Sequence, residues 1–254
     1  LFTMPLICGI DEAGRGPIAG PVCAAAAILP KDFPIDILAD SKLLSADERL
    51  DLEGLIKMHA KAYAIGWAMH SEIDLLNIHF ASLLAMERAF LKLPLHPEQT
   101  LIDGKFLPSI GSPSKAIVRG DALIPEIMAA SILAKTARDR WMIDYSKKDD
   151  RYFFEKNKGY PTKEHKDRIA LYGPCPIHPM RFTPFNIPLS IVPYFLSFRR
   201  WMNSTASSNP ARKLFISSSN TITCCLSKSV PLCFLLSTIV RKRSPFLFSF
   251  TLKK

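Results

Sequence analysis

The 254-residue chain predicts an α/β layered domain, and three observations carry that prediction. Apolar runs of strand length recur early, at residues 5–10, 22–29 and 60–68. Longer stretches with helical spacing separate and follow them. Two further short apolar runs, at 100–102 and 116–118, lie among the later helices, a pattern that fits helices layered on a sheet.

The first run leads into Gly9-Ile10-Asp11-Glu12-Ala13-Gly14-Arg15-Gly16-Pro17, where two adjacent carboxylates meet a Gly-Arg-Gly turn. The third run alternates around Tyr63, Ile65 and Trp67, as a strand should. Ser45-Ala46-Asp47-Glu48 is a capping box and opens a helix reaching about Met58. A second helix is expected from near Ser71, with Asp74 three residues on. It carries Leu75, Ile78, Leu83, Leu84 and Met86 towards Phe90, before Leu93-Pro94 breaks it. Pro125 opens a long helix to about Trp141, small-faced at Ala129, Ala130 and Ala134. A last helix runs from Thr162 to Gly173, placed as a C′ glycine.

The formal charge of +10 is unevenly spread. From residue 187 onwards there are ten Lys or Arg and no Asp or Glu, so residues 1–186 balance 23 bases against 23 acids. Serine becomes frequent in that tail and its apolar clumps show neither helix nor strand period. The expected organisation is one domain over 1–186 and a basic, acid-free tail over 187–254. The tail reads either as a basic extension attracting nucleic acid or as the product of a reading-frame change. The six cysteines show neither Cys-x-x-Cys nor zinc-finger spacing, and Cys8 and Cys23 sit in apolar runs as buried thiols would. The first ten residues lack the basic n-region of a signal peptide, and the longest apolar stretch of the tail is too short to span a bilayer. A reducing, cytoplasmic setting with no membrane association is expected.

Three strand-like runs close on an acid beside glycine: Asp11-Glu12, Asp103-Gly104 and Gly120-Asp121. Each alone is compatible with a simple turn. Together, acids closing buried strands can converge at one sheet edge, where their mutual repulsion invites a divalent cation. A pair of such ions could activate water and stabilise the leaving oxygen of a phosphodiester. A glycine-flanked Arg15 suits close approach to a phosphate.

These residues also resemble a known family. Asp11-Glu12-Ala13-Gly14-Arg15-Gly16-Pro17, Asp40-Ser41-Lys42-Leu43-Leu44-Ser45, Leu76-Asn77-Ile78, Ile102-Asp103-Gly104, Gly120-Asp121, residues 129–135, Arg138-Asp139 and Lys158-Gly159-Tyr160-Pro161-Thr162 are similar, collinearly, to ribonuclease HII. The resemblance implies an RNase H-like fold, with a central mixed sheet flanked by helices and a C-terminal helical part. It implies a metal-dependent endoribonuclease using Mg²⁺ or Mn²⁺, acting as a monomer. Its substrates would be RNA in RNA/DNA hybrids and single ribonucleotides embedded in duplex DNA. Cleavage on the 5′ side of the ribonucleotide would leave 3′-hydroxyl and 5′-phosphate ends. The resemblance carries catalysis and metal binding onto Asp11, Glu12, Asp103 and Asp121, and substrate binding onto Gly14, Arg15, Gly16, Lys42 and Tyr160, with Tyr160 stacking on a sugar. Where the family ends in a basic Ser-Phe-x-Pro-like stretch, this chain keeps only Phe182 and Pro184 after His178.

Beside that resemblance, Lys135 and Asp139 read as an i,i+4 surface pair, Arg138 as a residue that could face a phosphate, and Asn77 as a local brace. His165 and His178 read as structural or surface residues. The rival functions are a module that grips hybrids without cutting, or another nuclease of the same fold.

Overall fold

The computed structural model describes residues 5–38 and 45–181, together with the backbone of residues 215–216 and 222–223. β1 (Ile7–Ala13) pairs antiparallel with β2 (Val22–Ile28), which pairs antiparallel with β3 (Ala62–Ala68). On the other side, β4 (Gln99–Asp103) and β5 (Ser114–Ile117) run parallel to β1, giving the order β3-β2-β1-β4-β5. The expected mixed sheet is present. Helices α1 (Ala46–His59) and α2 (His70–Leu91) precede β4, and α3 (Pro125–Ser146), α4 (Phe154–Asn157) and α5 (Lys163–Tyr172) follow the sheet as its C-terminal helical part.

β2 explains how helices cover both faces. Its sequence, VCAAAAI, is buried throughout. Alternation sends Val22, Ala24, Ala26 and Ile28 into a core shared with α2, and Cys23, Ala25 and Ala27 into one shared with α1 and α3. Alanine keeps both layers close to the strand. At Gly66 and Gly9 the approach is closer still, since an added Cβ would run into the backbone of α2 or α3 respectively.

Three departures from the sequence expectation fall on two elements, β1 and α2. β1 continues through Asp11 and Glu12 to Ala13, because those residues keep pairing with β2 as far as Ala13↔Cys23. α2 starts at His70, where the Glu72 carboxylate accepts from the Met69 amide at 2.9 Å. Asp74 is buried instead and accepts from the Arg181 amide at 3.0 Å. α2 also breaks at Asn77 (φ 70°), whose Oδ1 accepts from the amides of His79 and Phe80, so Asn77 caps a new helical start.

Backbone contacts divide the chain into Leu1–Ser190 and Ile191–Lys254. Within the second unit β6 (Phe215–Ile216) pairs antiparallel with β7 (Ile222–Thr223). The rest of the 187–254 tail, Phe182, Pro184 and residues 40–44, Lys42 among them, lie outside the described residues. Among the described residues, no helix is long and apolar enough to cross a membrane.

Candidate active site

Parallel pairing sets the centre of the site. Ile10 on β1 lies opposite Ile102 on β4, so the next residues, Asp11 and Asp103, stand side by side on adjacent strands. β5 brings in the third carboxylate. After Ile117, paired with Asp103, the chain turns through Arg119 (φ 59°) into a 3-10 turn, Gly120–Ala122, where the Asp121 amide donates to Asp103 Oδ1 at 3.4 Å. Gly120 keeps this corner tight, as a Cβ there would collide with Ile127 and lie 3.5 Å from Asp103 Oδ1.

Asp11 is 5% exposed, while Asp103 and Asp121 are half-buried. Burial pushes the Asp11 carboxyl well above its ordinary range, the charges of Glu12 and Asp103 push the same way, and a hydrogen bond with Ser131 on α3 opposes them. The pleat sends Glu12 to the other face of β1. There its Oε1 accepts from Arg15 Nη1 at 3.0 Å, and its buried Oε2 has no hydrogen-bond partner. Among the described residues, no three His, Cys, Asp or Glu side chains are gathered closely enough to enclose a metal ion. The donor set nevertheless suits a hard divalent cation: carboxylate oxygens, one orphaned and one held in a setting that disfavours its charge.

Beside the carboxylates, the loop from Gly14 to Pro21 meets the loop at 158–160. Arg15 and Gly16 are exposed, and a Cβ on Gly16 would sit 3.4 Å from Tyr160 Cε1, so the ring faces the glycine. Tyr160 is 39% exposed, with Lys135 Nζ 5.6 Å from its ring centre. Lys135 also pairs with Asp139 at 2.8 Å, the expected i,i+4 contact. The loops are stitched by Ile18 N donating to Gly159 O (2.9 Å) and Gly20 N to Ile177 O (2.8 Å).

Arg138 holds the junction from beneath. It is 1% exposed, and its guanidinium donates to Pro21 O (2.9 Å), Ala19 O (3.0 Å) and Lys158 O (2.9 Å). A phosphate-facing Arg138 is therefore excluded in this conformation. Gly14 (φ 108°) passes so near that a Cβ would strike Arg138 Nε and come within 2.7 Å of Pro21 O. Nothing larger than glycine fits.

The structure thus brings together Asp11, Asp103 and Asp121, sets Glu12 and Arg15 as a neighbouring pair, and places Gly14, Gly16 and Tyr160 around one junction. The sequence reading missed Ser131 as a partner of Asp11 and Arg138 as a clamp. A signal for Arg138 existed: it follows Ala130 and Ala134 at four-residue spacing on a buried stripe. His165 and His178 are fully buried and bonded to one another, which bears out the structural reading and excludes the surface one.

A protein-family model described as Ribonuclease HII matches residues 8–185. The chain is 51% identical over 180 residues to the ribonuclease HII of Nitrosospira multiformis, covering 71% of this chain and 90% of that protein. It is 49% identical over 179 residues to that of Idiomarina loihiensis, covering 70% and 96%. The crystal structure of the ribonuclease H2 from Pyrococcus horikoshii OT3 superposes with a TM-score of 0.60 at 21% identity, over 80% of this chain and 99% of that one. At such identity the last likeness speaks for the fold, which is RNase H-like.

Proposed function

The chain belongs to the ribonuclease HII family and is a nuclease of the ribonuclease H type, and we propose that it incises duplexes on the 5′ side of a ribonucleotide. Both RNA/DNA hybrids and single ribonucleotides within duplex DNA would be substrates, giving 3′-hydroxyl and 5′-phosphate ends. The observation that supports this most is the side-by-side placement of Asp11 and Asp103, with Asp121 bonded to Asp103, next to the Gly16–Tyr160 junction.

Divalent-metal dependence is general in this family. Asp11, Glu12, Asp103 and Asp121 would hold Mg²⁺ or Mn²⁺, which when bound supplies a water of lowered pKa and neutralises charge building on the phosphate. The protein's own groups account for recognition. Only a 2′-hydroxyl distinguishes a ribonucleotide, and the bare backbone of Gly14 and Gly16 lets peptide groups approach it closely. The half-exposed Tyr160 ring offers a face for the sugar beside the scissile bond. Arg15, exposed and held only by Glu12 among the described contacts, would turn to a substrate phosphate. Lys42 would add a phosphate contact.

The test is incubation of duplex DNA bearing one ribonucleotide with the protein and Mg²⁺, with the product ends mapped. Incision that is lost in Asp103→Asn is expected. Absence of incision, or full activity in that variant, overturns the reading.

A further inference from the structure

We propose that the buried pair His165–His178 is a positioning device for Tyr160, coupling selection of the ribonucleotide junction to a proton-ordered chain of hydrogen bonds. The inference rests on the reading of Tyr160 given above.

Four contacts define the chain. His165 Nδ1 lies 2.8 Å from Tyr160 O, and His165 Nε2 lies 3.0 Å from His178 Nε2. At the far end, His178 Nδ1 accepts from the Cys175 amide at 2.9 Å, with Cys175 Sγ at 3.0 Å. A carbonyl can only accept and an amide N–H can only donate, so both ends have fixed polarity. His165 must carry its proton on Nδ1, leaving Nε2 as an acceptor. His178 must then carry its proton on Nε2, leaving Nδ1 to accept from Cys175. With both rings neutral, one tautomer of each serves Tyr160 O, the bond between the rings and the Cys175 amide, and leaves unused the longer approach of His178 Nδ1 to Cys175 O at 3.4 Å. An added proton on either ring sets N–H against N–H.

The chain acts on the reading loops because of what its ends touch. Tyr160 O accepts from His165 and from the Thr162 amide, fixing the peptide that carries the ring. The segment that supplies Cys175 and His178 also supplies Ile177 O, which anchors Gly20. Arg138 clamps the same two loops from the opposite end, at Lys158 and Ala19.

The groups around the pair come from each neighbouring element. The 3-10 turn Asp150–Tyr152 presents Tyr152, whose ring centre is 5.2 Å from that of His178 and whose hydroxyl donates to Gly173 O. α4 presents Phe154, 5.4 Å from His165. Asp149 interacts with His178 electrostatically, but its carboxylate is held by two bonds from Arg151, at 2.7 and 2.8 Å. Arg151 also interacts with Cys175 and packs over Tyr152 and Tyr172. That carboxylate is therefore matched by a cation. Burial holds the His165 imidazole below its ordinary value of 6.5.

The experiment compares cleavage of a single-ribonucleotide duplex with that of a long RNA/DNA hybrid, as a ratio of kcat/KM values, in the full chain. His165→Asn keeps an N–H where Nδ1 stands and is expected to retain the ratio. His165→Gln moves the amide to the Nε2 position and is expected to lower the ratio by about 10–100-fold. In the wild type the ratio is expected to fall as pH drops below about 6.5, since burial delays protonation of the His165 imidazole to more acidic pH. The effect of pH on water activation is common to both substrates and cancels. Retention of the wild-type ratio by His165→Gln while Tyr160→Ala loses it overturns the proposal and leaves the reading of Tyr160 intact. A ratio unchanged in Tyr160→Ala overturns that reading and the proposal with it. Should the glutamine variant not fold, a pH-independent ratio in the wild type overturns the proposal by itself.

Discussion

At Asp11, burial and the carboxylates of Glu12 and Asp103 all favour the protonated form, with Ser131 as the opposing hydrogen bond. An acid whose folded pKa is raised contributes stability that is complete below its unfolded value of 3.8 and is lost as pH rises through the folded value. At neutral pH without metal, Asp11 is thus a local strain on the fold. Asp11→Asn is expected to melt higher than the wild type in chelator, by about 2–4 °C for each kcal/mol relieved, while losing incision. Differential scanning calorimetry at neutral pH and again near pH 3 checks the sign, since the advantage should vanish in acid. Mg²⁺ should raise the wild-type melting temperature and leave that of Asp11→Asn nearly unmoved. Gly14 is constrained sterically: Gly14→Ala must adopt φ 108° against Arg138 and Pro21, so a loss of about 1–3 kcal/mol is expected in urea unfolding.

Secondary-structure elements were legible where local chemistry decides them, and less so where tertiary contacts do. The Ser45–Glu48 capping box, Pro125 at the start of α3 and Gly173 after α5 are local signals, and each marks a true boundary. The start of α2 misled because Ser71 and Asp74 mimic a cap, whereas Asp74 is claimed by Arg181, 107 residues away. β1 outran its apolar stretch because pairing with β2 continues past the hydrophobic residues to Cys23. The carboxylates were visible as types beside glycine; that Asp11 and Asp103 are neighbours depends on strand order, which no local pattern encodes. The helix break at Asn77 allows a direct check. Asn77→Ala removes two amide caps and a residue tolerant of φ 70°, and should cost about 1 kcal/mol or more in urea unfolding.

Across the whole chain, charge and grip are separated. Residues 1–186 are neutral in sum, so the site should recognise its substrate by placed groups, and the ten bases beyond them are expected to act through counterion release. A chain ending at Ser190 is expected to keep its preference for ribonucleotide junctions yet bind DNA with a shallower dependence on salt, each lost phosphate contact reducing the slope by about 0.9. Fluorescence anisotropy over a salt series measures this.

Arg138 has a further consequence at this scale. Its three bonds tie Ala19 and Pro21 to a helix 119 and 117 residues along the chain, and tie that helix to Lys158. Among the described residues, Cys8, Cys23 and Cys175 are buried and outside any disulfide. One guanidinium therefore closes the long loops that a crosslink between cysteines would close elsewhere, and it does so with bonds that neither reductant nor oxidant can cut.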